Sequence, residues 1–170
     1  MRKLITIITF LLLIISCEKD DICTSTDANT ANLKIKFYNN LDRDVLKKVN
    51  NLLIVGNSLS YGIESSRDSI SIPLRILENN TSYKLIKDYI INDNGTPDDL
   101  TDDFATGNED EIIINYENEE IFISKACGFK NVFNNVNFGF TDDDDNWILN
   151  TSVINNKIEN ENDAHIHIFH

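Results

Sequence analysis

Leu33-Lys34-Ile35-Lys36-Phe37-Tyr38 is the stretch that decides the fold. Apolar and polar side chains alternate with a period of two, so Leu33, Ile35 and Phe37 share one face of an extended strand. A helix would spread the same residues around its circumference. A strand with a single apolar face is stable only when a second layer covers it. The remainder of the chain is therefore expected to supply further strands.

It does so in both directions of the argument. Val49 to Val55 reads as a second strand, ended by Gly56-Asn57-Ser58, with Tyr61-Gly62 in the loop that follows. Ile70, Ile72 and Leu74 alternate with Ser69, Ser71 and Pro73. Proline has no amide to donate, which puts this strand at a sheet edge or ends it. Tyr83 to Ile90 reads as a strand inside a sheet. Ile112, Ile114 and Tyr116 form another, turned by residues 117–120, and Ile121 and Ile123 continue beyond the turn. Val136, Phe138 and Phe140 alternate with Asn137 and Gly139. Trp147 to Ile158 reads as one long strand with Trp147, Leu149, Thr151 and Val153 on one face. Ile166 and Ile168 close the chain. Eight or nine short strands with polar turns, no helical period and no tandem repeat predict an all-β fold. The expected form is an antiparallel β-sandwich, immunoglobulin-like in appearance, formed by residues 33–170 as a single domain; a small barrel is the alternative.

Residues 92–110 are acidic and contain Gly95, Pro97 and Gly107, so they read as a long excursion between two strands. Loops of that length are uncommon and often functional. Asp93, Asp98, Asp99, Asp102 and Asp103 are candidate calcium ligands, because calcium takes six to eight oxygens from carboxylates, carbonyls and water. An EF-hand is excluded: with Gly95 at its sixth position the first ligand would be Ile90. The run Asp142 to Asp145 is a weaker candidate, since four adjacent acids in a turn point in different directions. His165 and His167 sit two apart on a strand and could grip a metal with a third ligand from a neighbouring strand. The competing expectation for both features is ordinary: a solvated acidic loop, and histidines opposite a packed Ile face. No nucleophile elbow surrounds Ser58, and no glycine-rich loop follows a strand to hold phosphate. Tyr61, Tyr83 and Tyr89 are candidate ligand-facing aromatics, with core positions as the alternative.

The N-terminus addresses location. Arg2 and Lys3 precede an apolar run from Leu4 to Ile15, too short to span a bilayer but of the length of a signal h-region. Ile14-Ile15-Ser16-Cys17 resembles a bacterial lipobox. That reading makes residues 1–16 a signal peptide and Cys17 the lipidated, palmitate-bearing first residue of a short tether, 17–32. Glu18-Lys19-Asp20-Asp21 resembles the export signal of surface lipoproteins in Bacteroidota, which implies the outer membrane and its outer face. The chain carries a formal charge of −13, which argues against nucleic acid or an anionic membrane face as a partner.

With Cys17 assigned to lipid, Cys23 and Cys127 remain as an even pair in an oxidising compartment, and a disulfide is expected between them. Free thiols or a redox or metal pair are the alternatives, with no CxxC spacing in their favour. Cys17 to Cys23, Lys87-Asp88-Tyr89, Ala126-Cys127-Gly128-Phe129-Lys130, Phe133-Asn134-Asn135, Asp145-Asn146-Trp147-Ile148 and Ala164-His165 together resemble a family of small flavobacterial lipoproteins of unknown function. The resemblance implies one secreted domain with two non-lipid cysteines, and no known activity. The functional expectation is a non-catalytic envelope module that binds a glycan, a peptide or a partner protein. A calcium-dependent binding module and a hydrolase of envelope polymers are the alternatives from other classes.

Overall fold

The computed structural model describes Cys23 and residues 29–56 and 60–170, the side chains of 60–65 excepted. The expected signal, the lipidation site Cys17, most of the tether, and Asn57 and Ser58 lie outside the described residues. Among the described residues nine strands run in the order β1 (Leu33–Tyr38), β2 (Val49–Gly56), β3 (Ser60–Arg67), β4 (Ser69–Ile72), β5 (Asn80–Asn92), β6 (Phe104–Ser124), β7 (Gly128–Phe140), β8 (Asn150–Val153) and β9 (Ile166–Phe169). No helix occurs among the described residues. The fold is all-β, as the alternating patterns predict.

The chain divides into two compact units, one of Thr30–Glu120 with Asn131–His170 and one of Met1–Asn29 with Ile121–Lys130. The larger unit is sandwich-like, with its strands in two sheets of order β4-β1-β9-β8 and β3-β2-β5-β6-β7. Leu33, Ile35, Phe37, Ile166 and Ile168 of the first sheet share one buried cluster with Leu52, Ile54, Leu85, Ile112 and Ile114 of the second. Burying each such side chain contributes about 1.5–3 kcal/mol, which is what holds two half-apolar sheets together. In the smaller unit Cys23 and Cys127 are joined by a disulfide, Cα to Cα 5.1 Å. Residues 125–127 form the turn between β6 and β7, and Gly128 follows with φ +72°. A side chain on Gly128 would meet open space, so the left-handed backbone is what requires glycine there.

Several local expectations need correction. β9 pairs with β8 antiparallel but with β1 parallel, Ile35 opposite Ile166 and Phe37 opposite Ile168, so the first sheet is mixed. Alternation reveals which residues face inward, not the direction in which a strand runs. Tyr61-Gly62 lies in β3, where serines and a charged pair hide the strand from a hydrophobicity pattern. Glu117 to Glu120 do not turn the chain; β6 passes straight through them, with carboxylates on an exposed face. The stretch 147–158 holds only a four-residue strand: Trp147 and Ile148 are buried and Leu149 is exposed, because the segment crosses from one sheet to the other there. The edge position expected from Pro73 is found, since β4 ends its sheet. Residues 30–32, expected in the tether, are already fastened: the Asn32 amide donates to Glu161 at 2.9 Å and Thr30 Oγ1 accepts the Asn131 amide at 3.0 Å.

The crossing from β7 to β8 is held by one buried carboxylate. Asp110 has no exposed surface. It accepts the Ile148 amide at 2.7 Å and the Trp147 amide at 3.4 Å. Burial pushes its carboxyl above the ordinary range, against those two amides and the Asn146 side chain, which favour the charge. The Trp147 indole donates to the Leu85 carbonyl at 3.2 Å, and its ring packs against Phe37 and edge-on to His170. Asp110→Ala leaves two amides without their acceptor and should cost about 2–4 kcal/mol. Urea unfolding checks this: an unchanged midpoint would show that the crossing does not depend on Asp110.

Candidate functional site

The second sheet is irregular along one line. In β2, Asn50 and Asn51 oppose the single residue Ser66, between the pairs Val49–Arg67 and Leu52–Ser65. In β5, Asp88 and Tyr89 oppose the single residue Gly107, between Lys87–Asn108 and Ile90–Thr106. Both are bulges of the two-against-one kind, which bend a strand and sharpen its twist. Asn51 and Asp88 take φ of +39° and +55°, a conformation that Asn and Asp tolerate better than other side chains. The β2–β5 register runs from Gly56–Tyr83 to Leu53–Ile86, so the two strained residues stand two positions beyond its last pair. Gly107 completes the line at φ +148°. A Cβ there would lie 2.6 Å from Ile86 Cγ2 and 3.0 Å from the Lys87 carbonyl oxygen, so only glycine fits.

Beyond this line β5 and β6 continue as a two-stranded arm. Ile90, Ile91 and Asn92 pair with Thr106, Ala105 and Phe104. Among the described residues β2 supplies no registered partner to β5 past Ile86, so the edge of β5 that faces β2 is open. A depression of about 320 Å³ lies at that edge, lined by Asn51, Tyr89, Ile90 and Ile91. Ile90, Ile91, Leu100 and Phe104 are all about half exposed or more. Residues 88–107 carry six aspartates and no lysine or arginine. The arm is thus both anionic and apolar, with an unpaired strand edge of the kind that accepts another strand.

The arm corrects the expected excursion over 92–110. β6 begins at Phe104, and the loop proper is Asp93 to Asp103. Threonines and glycine had masked a strand that is paired but exposed. Three of the five candidate calcium ligands accept local hydrogen bonds. Asp93 accepts the Gly95 amide at 3.0 Å. Asp99 accepts the Thr101 hydroxyl at 2.6 Å and amide at 3.0 Å, which lower its pKa. Asp102 accepts Thr96 Oγ1 at 2.8 Å and Asn94 Nδ2 at 3.2 Å, with the same effect. Asp98 lies beside Asp99 in the exposed part of the loop, and Asp103 Oδ1 is covered without a hydrogen-bond partner. Among the described residues no three histidine, cysteine, aspartate or glutamate side chains are grouped to hold a metal ion.

His165 and His167 have separate surroundings. His165 is buried, and its Nδ1 accepts the Lys34 amide at 3.0 Å. That bond ties β1 to the segment before β9. His167 packs against Tyr38 with ring centroids 4.4 Å apart and planes tilted by 44°. Tyr83 is buried in the core and bonds the Pro73 carbonyl, whereas Tyr89 does reach the depression; the Tyr61 side chain lies outside the described residues. The sequence reading missed Asn51, Asp88 and Gly107. An isolated glycine among alternating residues was their available signal.

The chain belongs to the family of unknown function DUF6452, whose model matches residues 49–170. No curated protein and no solved structure matches it.

Gly107→Val should destabilise the protein by about 2–4 kcal/mol, since a branched side chain meets both Ile86 and backbone at a left-handed position. Thermal melting checks it, and a neutral result would mean that the strands can part there. Burial holds His165 below its ordinary pKa of 6.5, and holds His167 and His170 below theirs. A histidine depressed in the fold binds its proton more readily when unfolded. The corresponding stability is present above pH 6.5 and is lost as pH falls through the folded values. His165→Asn, which can offer an oxygen in place of Nδ1, should flatten the fall in urea midpoint between pH 7.5 and pH 5. Parallel curves for the two proteins would remove His165 as its source.

Proposed function

We propose that this member of the family is a non-catalytic, lipid-anchored binding module of the cell envelope, which takes up an extended cationic segment of a partner protein along the β5–β6 arm. The observation that carries the reading is the open edge of β5 beside Ile90 and Ile91, in a stretch, residues 88–107, with six aspartates and no lysine or arginine. Backbone pairing to an exposed edge supplies affinity without sequence demands, and alternate side chains supply choice. Lysines or arginines on the incoming strand would meet aspartates. Its apolar residues would cover Ile90, Ile91 and Phe104, and the depression beside Tyr89 would take one side chain. The acidic field also speeds encounter with a cationic partner at low salt.

The scaffold in this proposal is an immunoglobulin-like sandwich. Cys17 is its lipid site, in the outer membrane with the domain on the outer surface, as the lipobox and the Lys19-Asp20-Asp21 run suggest. A short lipidated tether keeps such a module at the membrane, where partners in an envelope assembly are concentrated.

A labelled ten-residue peptide of alternating lysine and isoleucine tests the arm by fluorescence anisotropy. Binding is expected, weakening at least tenfold between about 50 and 500 mM salt as screening shortens the range of the carboxylates. Ile91→Lys, an exposed change that places a cation on the edge, should weaken binding at least tenfold with the melting temperature unchanged. Equal affinity for an alternating glutamate and isoleucine peptide would overturn the proposal.

A further inference from the structure

Around the turn between β6 and β7 the charge balance of this acidic chain locally reverses. Residues 121–130 contain Lys125 and Lys130 and no acid, against −13 for the whole. Phe122 and Phe129 flank the turn, and their rings meet edge to face at 5.2 Å. Both remain exposed, at 59% and 58%. Two phenylalanines left in water beside two lysines are costly in isolation. They suit a surface that is apolar beneath and anionic above, as a bilayer interface is.

The chain's own connectivity says what covers them. The turn is bonded to Cys23 through Cys127, and Cys23 is six residues from Cys17. Six extended residues reach at most about 20 Å. If Cys17 carries lipid, as proposed above, the disulfide, with its Cα atoms 5.1 Å apart, holds Cys127 of this turn within about 25 Å of the headgroups. Charges elsewhere on the domain matter less at the surface, because salt screens them beyond about 8 Å. We infer that the Phe122–Phe129 pair enters the membrane interface and that Lys125 and Lys130 contact lipid phosphates. The turn is a second attachment that sets the height and orientation of the smaller unit on the bilayer. This inference rests on the lipid-anchor reading for its geometry.

The test uses the full-length protein with the single change Phe129→Trp. It is reconstituted in vesicles of phosphatidylethanolamine and phosphatidylglycerol, with and without brominated acyl chains. Trp147 is buried and common to both proteins, so the parent's emission can be subtracted. The added tryptophan should emit at shorter wavelength than in water, and brominated lipid should quench it at least twofold. Adding Lys125→Glu and Lys130→Glu should restore most of that emission. Unquenched emission at the wavelength of a water-exposed indole overturns the inference. So does protection that depends on protein concentration and ignores bromine, which would instead identify a second copy as the cover. Intact mass reports separately on the anchor. A bare Cys17 would defeat the anchor reading alone, and the same quenching, measured with the unanchored protein at saturating vesicles, then decides the membrane contact by itself.

Discussion

The buried carboxylate of Asp110 is the constraint on which the larger unit depends. A charge with no exposed surface is tolerable only when donors face it, and here the donors are the amides of Trp147 and Ile148. Those amides belong to the segment that leaves β7 in the second sheet and enters β8 in the first. Such a crossing has no ladder of its own, so its backbone groups need partners from elsewhere. Asp110 supplies two of them at once. The same contact turns Trp147 inward, where its indole reaches the Leu85 carbonyl and its ring closes over Phe37 and His170. An apolar residue at position 110 would pack, but the crossing would lose its acceptors.

Three residues before Asp110, the same strand changes character. Asp110 and Ile112 face the core; Gly107 allows the close approach of Ile86 and Lys87; Phe104 to Thr106 stand in solvent. The bulges at Asn50–Asn51 and at Asp88–Tyr89 absorb extra residues on adjoining strands. Their combined effect is to end the β2–β5 ladder while the β5–β6 ladder goes on. An arm with an open edge is the geometric result. Long edges of this type invite unwanted pairing, and aspartates along the arm oppose association between like copies through repulsion. On the proposed reading, the acidic bias would oppose self-association at the edge while leaving it open to a cationic partner.

The sequence made the core legible and the surface strands obscure, for one reason. Leu33, Ile35 and Phe37, or Ile166 and Ile168, announce their strands because one face is buried and the other is not. β3 and the first residues of β6 have no buried face to report, so their serines, threonines and acids read as loop. Trp147 and Leu149 seemed to share a face because period two was carried through a segment that is not a strand. The parallel pairing of β1 with β9 was equally hidden, since no residue pattern encodes strand direction. The disulfide could be anticipated from the count of cysteines. The arm could not, because a bulge is a relation between strands: Asn51 and Asp88 are unremarkable alone, and only the register shows two residues opposing one.

β6 ties together the two proposed surfaces by chain continuity. It begins at Phe104 in a stretch with six aspartates and no cation, and ends at Ser124 within the segment 121–130, which has two lysines and no acid. Uniform acidity would have sufficed for solubility. A segregated charge does something else: it gives each end of one strand a different preference among partners. Exposed phenylalanines accompany both ends, Phe104 at the first and Phe122 at the second. The aromatic contribution is similar at each, so charge makes the choice. In the proposed roles an anionic bilayer would be repelled by the arm and attracted by the turn, and a cationic peptide the reverse. Specificity of this kind needs no catalytic group and no deep cavity, only the exclusion of the wrong sign from each surface.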